Sequence, residues 1–157
     1  MTSAELIAGV KQAGEAFAGF IERQNTEAFH RRPAPEEWTA AELCGHVAEF
    51  PTTFARQARE VALHPGGGLG RGLDDPGRLT AVPKLAGAGP VQAAAAVRSG
   101  LEEAVALLSS IGEEQWQATG SHPRLGPLTV SGMVEHFILD HLRDHLKQAR
   151  VAVGETA

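Results

Sequence analysis

The chain has 157 residues, 43% hydrophobic and 21% charged, enough for one ordinary domain that buries a core without disulfide or metal staples. No run approaches the roughly 18 apolar residues of a membrane span. The 14 Lys and Arg against 19 Asp and Glu leave a formal charge of −5 with no basic tract, so neither membrane nor nucleic acid is expected as a partner.

Cys44 is the one cysteine, which excludes an internal disulfide, and the first residues lack a basic stretch followed by an apolar one. A reducing, cytoplasmic setting is the expectation. With no Tyr, six Phe and two Trp beside abundant Ala and Leu, the composition leans to helices. From Ser3 to Ala28, the residues Leu6, Val10, Ala13, Phe17, Ile21 and Ala28 recur at helical spacing. A Thr2/Glu5 capping box opens this helix, and Pro33 and Pro35 stop the chain from continuing it. Thr39 and Glu42 announce a second helix carrying Leu43, Val47, Phe50, Phe54, Ala58 and Val61 on one face. Pro51 inside it predicts a kink near Phe50 or a break into two pieces.

Residues 64–89 are rich in Gly and Pro, lack periodicity, and read as a loop of about 25 residues, a length uncommon inside a domain unless it is functional or disordered. Pro90 suits the first position of a third helix reaching about Ile111. A fourth follows Thr129 through Val130, Met133, Val134, Phe137, Ile138, Leu142 and Ala149 to near Gly154. Four helices and no convincing strand predict an all-α bundle, with residues 1–157 forming a single domain. A faint repeat accompanies them: Trp38-Thr39 and Trp116 with Thr129 precede helices in which His46 and His136 stand seven residues after the Thr.

Seven histidines raise the question of a site. At 100° per residue from Val130, His141 and His145 fall at about 20° and about 60°, in the apolar stripe, while His136 falls at about 240° and reads as surface. Four residues apart, the inward pair stacks one turn above the other, at a spacing that lets two imidazoles grip one metal ion. His46 falls at about 300° from Leu43, at the edge of the apolar face of its helix, and Cys44 points away from it. Three inward imidazoles are costly to bury unless every nitrogen finds a partner. One divalent metal with an open position meets that need, and so would separate hydrogen bonds for each ring. His30, His64 and His122 lie in or beside loops and carry no such signal.

The segment Glu37-Trp38-Thr39-Ala40-Ala41-Glu42-Leu43-Cys44-Gly45-His46, with Leu128-Thr129-Val130 and His141-x3-His145-Leu146-Lys147-Gln148, resembles the DinB-like superfamily. That superfamily includes YfiT-like metal-dependent hydrolases and mycothiol-dependent maleylpyruvate isomerases. The resemblance implies a four-helix bundle with a long crossover between helices 2 and 3, where the 64–89 loop falls. It places the family's metal triad on His46, His141 and His145, and implies zinc or nickel, although imidazole ligation suits iron or copper equally. The implied function is a metal-dependent enzyme with an open three-histidine site. It would be a thiol-dependent S-transferase or isomerase, or a hydrolase, acting on a small electrophilic substrate with a low-molecular-weight thiol as cosubstrate. The alternative is a non-catalytic helical metal- or small-ligand-binding stress-response module; a homodimer fits either.

Glu49, one turn beyond His46, can orient a ligand, act as a base, or remain a solvated carboxylate. The Gly66–Gly72 run lacks the Gly-Lys-Ser/Thr ending of a phosphate loop. It reads as a passive crossover or, if it closes as a lid, as a carrier of Arg71 and Arg78 toward an anionic group.

Overall fold

Thr2, Asn25, Thr39 and Thr129 each end an extended stretch with a side-chain oxygen accepting the backbone N–H three residues on, and each starts a helix. At Thr2 and Thr39 the capping box is complete, with Glu5 and Glu42 reaching back to the cap N–H. The computed structural model describes residues 1–155; the last two positions of the expected 1–157 domain lie outside the described residues.

Helix α1 spans Ser3–Glu22 and α2 spans Thr26–His30. The expected single helix to Ala28 is therefore divided, because the chain leaves α1 after Glu22 and the Asn25 side chain caps Ala28 N–H at 2.8 Å to start a second helix. Helix α3, Ala40–Leu63, runs through Pro51 as one helix, so of the expected kink or break the break does not occur. Phe50, Pro51 and Ala55 are buried there, and Thr52 Oγ1 donates to the Gly100 carbonyl at 3.0 Å, so packing holds the helix across the missing backbone donor. Helix α4, Pro76–Ala81, and a 3-10 turn, Val82–Leu85, occupy part of the segment expected as loop. Helix α5 is Pro90–Ser109, with Pro90 at its first turn.

A 3-10 turn, Glu113–Gln117, leads into a small antiparallel hairpin, β1 Thr119–His122 and β2 Gly126–Thr129, a correction to the expectation of no strand. The final helical stretch comprises α6, Val130–Val134, a π-helical segment, Glu135–Asp140, and α7, His141–Ala152.

Helix α3 packs along α5, α5 along α1, α1 against α7, and α3 against α6 and α7, which closes a four-membered bundle. Its core is built from Leu6, Phe17, Ile21, Leu43, Phe50, Leu108, Trp116, Met133 and Leu142 among others. Two glycines allow the closest approaches. A methyl on Gly100 would strike the Ala48 carbonyl, and one on Gly45 would strike the Ala81 and Val82 carbonyls, so α5 and the crossover both lie against the backbone of α3.

The glycine-rich crossover is docked rather than free. Gly66 N–H donates to Thr119, Leu69 N–H to Ser121, and Ser121 N–H to Gly67, so the strip runs beside β1 with Gly68 and Ser121 paired in parallel. Gln57 of α3 exchanges two hydrogen bonds with Gly70, whose φ of +111° is a conformation suited to glycine. No helix among the described residues is long and apolar enough to cross a membrane.

Candidate metal centre

The last helical stretch carries its side chains in two registers. Measured from Val130 on an ideal α-helix, Leu142 and Ala149 would sit at about 120° and about 100°, off the face that Val130 and Val134 define. Both are fully buried nonetheless. The π-helical segment Glu135–Asp140 is the reason: its extra residue per turn turns everything beyond it by about 100° relative to α6. The core stripe therefore passes to Leu142, Leu146 and Ala149, and His141 and His145 flank that stripe, half-buried, instead of filling its middle as uniform helical geometry predicts. His46, three residues after Leu43 on α3, is 4% exposed and faces them.

The three rings form one group. Ring centroids are 4.8 Å apart for His46 and His145, 4.9 Å for His141 and His145, and 6.2 Å for His46 and His141. One nitrogen from each lies within 4.8 Å of the others. His145 Nδ1 is 3.0 Å from Gln148 Oε1, one turn on; an amide oxygen only accepts, so Nδ1 carries the proton and Nε2 keeps its lone pair. That Nε2, and Nδ1 of His46, are enclosed with no hydrogen-bond partner among the described residues. Burial, joined by the charges of His145, Arg78, His141 and Arg71, pushes the His46 pKa down to about 2. Burial and then His141 take His145 down to about 4 against the upward pull of Gln148 and Asp144. Burial also lowers His141, with Asp144 opposing. All three rings are neutral at physiological pH and can act as nitrogen donors.

Aromatic rings pack against the group: Phe50 lies 4.9 Å from His46 and 5.1 Å from His141, and Trp38 meets His46 edge-on at 5.4 Å. His141 also borders an open surface cavity of about 510 Å³ with His136, Asp140 and Asp144. A cavity of about 630 Å³ lies elsewhere, between α3, the crossover and α5, lined by Gly45, Ala48, Gly77 and Gly100 among others and by none of the three imidazoles.

Glu49 is half-buried and paired. Its two carboxylate oxygens accept from Arg71 Nη1 at 2.5 Å and Nη2 at 2.8 Å, and Oε1 also accepts from Thr53 at 2.7 Å. Burial acts to raise its pKa, but the Arg71 and Thr53 hydrogen bonds prevail and hold it below the ordinary carboxylate value. The Arg71 side chain, 5% exposed, is thus fixed in a bidentate pair that sequence reading did not foresee, since its members stand 22 residues apart. Arg78 of α4 lies over the Trp38 ring at 4.9 Å.

Cys44 is buried among apolar groups, its thiol raised to about 12, and it is not part of the imidazole group. His122, expected as an unremarkable loop residue, is buried in β1, and its Nδ1 accepts the N–H groups of Arg124 and Leu125, which fastens the hairpin turn. His136 is exposed, so the apparent repeat with His46 does not extend to a shared role.

The fold has a known counterpart in YfiT from Bacillus subtilis, described as a probable metal-dependent hydrolase with an unusual four-helix bundle topology. The two are 15% identical and superpose with a TM-score of 0.70 over 98% of this chain and 89% of that one, a likeness of fold. No protein with a curated description matches the sequence. The sequence model of the DinB superfamily matches residues 10–149, nearly the whole bundle and every histidine of the group described above, and the chain belongs to that superfamily.

Proposed function

We propose that this protein is a metal-dependent enzyme that holds a divalent ion on His46, His141 and His145 and acts on a small electrophilic substrate. The observation that carries the reading is the pair of enclosed, unpartnered nitrogens, His46 Nδ1 and His145 Nε2, inside a three-imidazole group. Buried polar atoms are left without hydrogen bonds in native proteins only where something else meets them, and neutral imidazoles suit zinc or nickel. Separate hydrogen bonds for each ring, the competing account, are not what surrounds these two atoms.

A bound divalent ion supplies activation of a water or thiol at neutral pH. The chain's own residues do the rest. Gln148 holds the His145 ring in one tautomer and one orientation. Phe50 and Trp38 pack against the rings and fix their positions, while His141, at the edge of the surface cavity, leaves the group accessible to a substrate. Glu49 is occupied on both oxygens and sits below the usual carboxylate pKa, so its role in this reading is to hold Arg71 in place rather than to take a proton.

The likeness to YfiT favours hydrolysis, and the wider superfamily favours transfer or isomerisation with a low-molecular-weight thiol; both need the same open site. Protein purified without a histidine tag is expected to carry close to one equivalent of metal by elemental analysis, lost in His141→Ala and His46→Ala with the helical content retained. A panel of esters and amides, and of electrophiles offered with mycothiol, bacillithiol or glutathione, then separates hydrolase from transferase. Metal without turnover across the panel returns the protein to the non-catalytic binding module; absence of stoichiometric metal refutes the metal centre.

A further inference from the structure

The crossover brings two guanidinium groups toward the imidazole group, and their situations differ. Arg71 is neutralised: Glu49 grips both of its terminal nitrogens and Asp75 lies 3.5 Å from Nη1. Arg78 is not. Its side chain donates to the Leu73 carbonyl at 3.0 Å and rests on the Trp38 ring, and no carboxylate pairs with it among the described residues. Asp75, the cap residue before α4, accepts the Arg78 backbone N–H on Oδ2 and turns the same oxygen toward Arg71. Trp38 in turn meets the edge of His46 at 5.4 Å, so one ring lies between Arg78 and the imidazoles.

The position of Arg78 is built from several directions. The docked glycine strip and the Glu49–Arg71 pair anchor the crossover on its N-terminal side, and Gly45 admits the Ala81 and Val82 carbonyls on the other. A half-buried cation held over an aromatic face, with most of its five donors free, is a ready partner for an anion.

We propose that Arg78 is the anchor for a carboxylate group on the substrate, and that this protein acts on small organic carboxylates whose reacting atom lies at the imidazole group while the carboxylate is held by the crossover. This rests on the reading of the same site as metal-dependent. One guanidinium fork with one unmatched charge fits a planar monoanion in shape and in charge, whereas a dianionic phosphate would leave a charge uncompensated because Arg71 is already paired. The Trp38 face beside the fork suits the apolar body of such a molecule.

Calorimetric titration of the full chain with benzoate, with its neutral isostere benzamide, and with inorganic phosphate tests this in zinc-loaded and metal-free protein. Benzoate is expected to bind metal-free wild type at least about ten-fold more tightly than benzamide, Arg78→Gln to erase that preference, and Arg78→Lys to keep part of it, with the melting temperature unchanged. Equal binding of benzoate and benzamide, no benzoate binding at millimolar concentration, tighter binding of phosphate, or full benzoate affinity in Arg78→Gln overturns the proposal. Benzoate binding that needs zinc and survives Arg78→Gln places the carboxylate on the metal; it sinks the Arg78 anchor and leaves the metal centre standing. An Arg78-dependent preference in a protein that takes up no metal does the reverse.

Discussion

A buried imidazole with one idle nitrogen costs free energy, and His46 and His145 have one each within the same group. At His145 the other nitrogen is tied to Gln148, so the orientation of the donor depends on an amide one turn away. Gln148→Leu is expected to weaken metal binding by about 10–100-fold, measured by competition with a chelator, while Gln148→Glu, which still accepts from Nδ1, retains most of it. Acid has a calculable direction too. In metal-free protein His145 titrates near 4 in the folded state and near 6.5 unfolded, and His46 titrates lower still. Between those values the unfolded chain binds more protons, so stability falls as pH drops below about 6.5, by at most about 1.4 kcal/mol per pH unit for each of the two rings. Glu49, with its pKa depressed, adds a second loss that begins only as pH falls below its unfolded value of 4.5. Chemical denaturation at pH 7 and pH 5 is expected to show the first loss, reduced in His46→Phe; a flat profile over that range would mean the rings are not buried neutral. The identity of the three histidines was legible from spacing and family likeness, but the Glu49–Arg71 pair was not, because no local pattern links an α3 carboxylate to a guanidinium in a glycine-rich crossover.

At the scale of elements, local chemistry read well and register did not. Thr39, Thr129 and Pro90 announce their helices by side-chain rules that act within three residues. The hairpin is hidden because its four-residue strands hold Gly120, Ser121, Gly126 and Pro127, none of which favours a strand, and β1 is further held by the crossover strip, distant in sequence, through the Gly68–Ser121 bridge. The π-helical segment has no compositional mark at all, yet it sets which residues of α7 face the core. Deleting exposed Glu135 restores a uniform helix and turns α7 by about 100° against α6. Leu142 and Ala149 then leave the core, or Val130 and Val134 do. The deletion is expected to abolish metal uptake and to lower the melting temperature sharply, whereas Glu135→Ala leaves both unchanged. Gly100→Ala probes the α3–α5 contact: the added methyl meets the Ala48 carbonyl, and the helices must separate, at about 1–3 kcal/mol of stability by denaturant titration.

For the molecule as a whole, the proposed metal centre joins α3 to α7, helices that are not neighbours in sequence and that are held meanwhile by the core and by the aromatic shell. A ligand that bridges them binds only the folded chain, so its affinity adds to the stability of the entire bundle and not just of one turn. If residues 1–157 act as a single domain, with one hydrophobic cluster running from Leu6 to Ala152, unfolding should be one cooperative transition, and the ion should shift it without splitting it. At a free zinc concentration of about 100 times Kd the gain is about 2.7 kcal/mol, which for a chain of this length raises the melting temperature by about 5–10 °C. Chelation should return the protein to its starting value, and His141→Ala should remove the response while leaving the metal-free transition near that of wild type, because His141 is half-buried and makes no hydrogen bond among the described residues. Two separate transitions in calorimetry would mean that the crossover and hairpin unfold independently of the bundle, and the carboxylate anchor at Arg78 would then be a mobile element instead of part of a preformed site. An equal zinc response in wild type and His141→Ala would place the ion elsewhere on the surface.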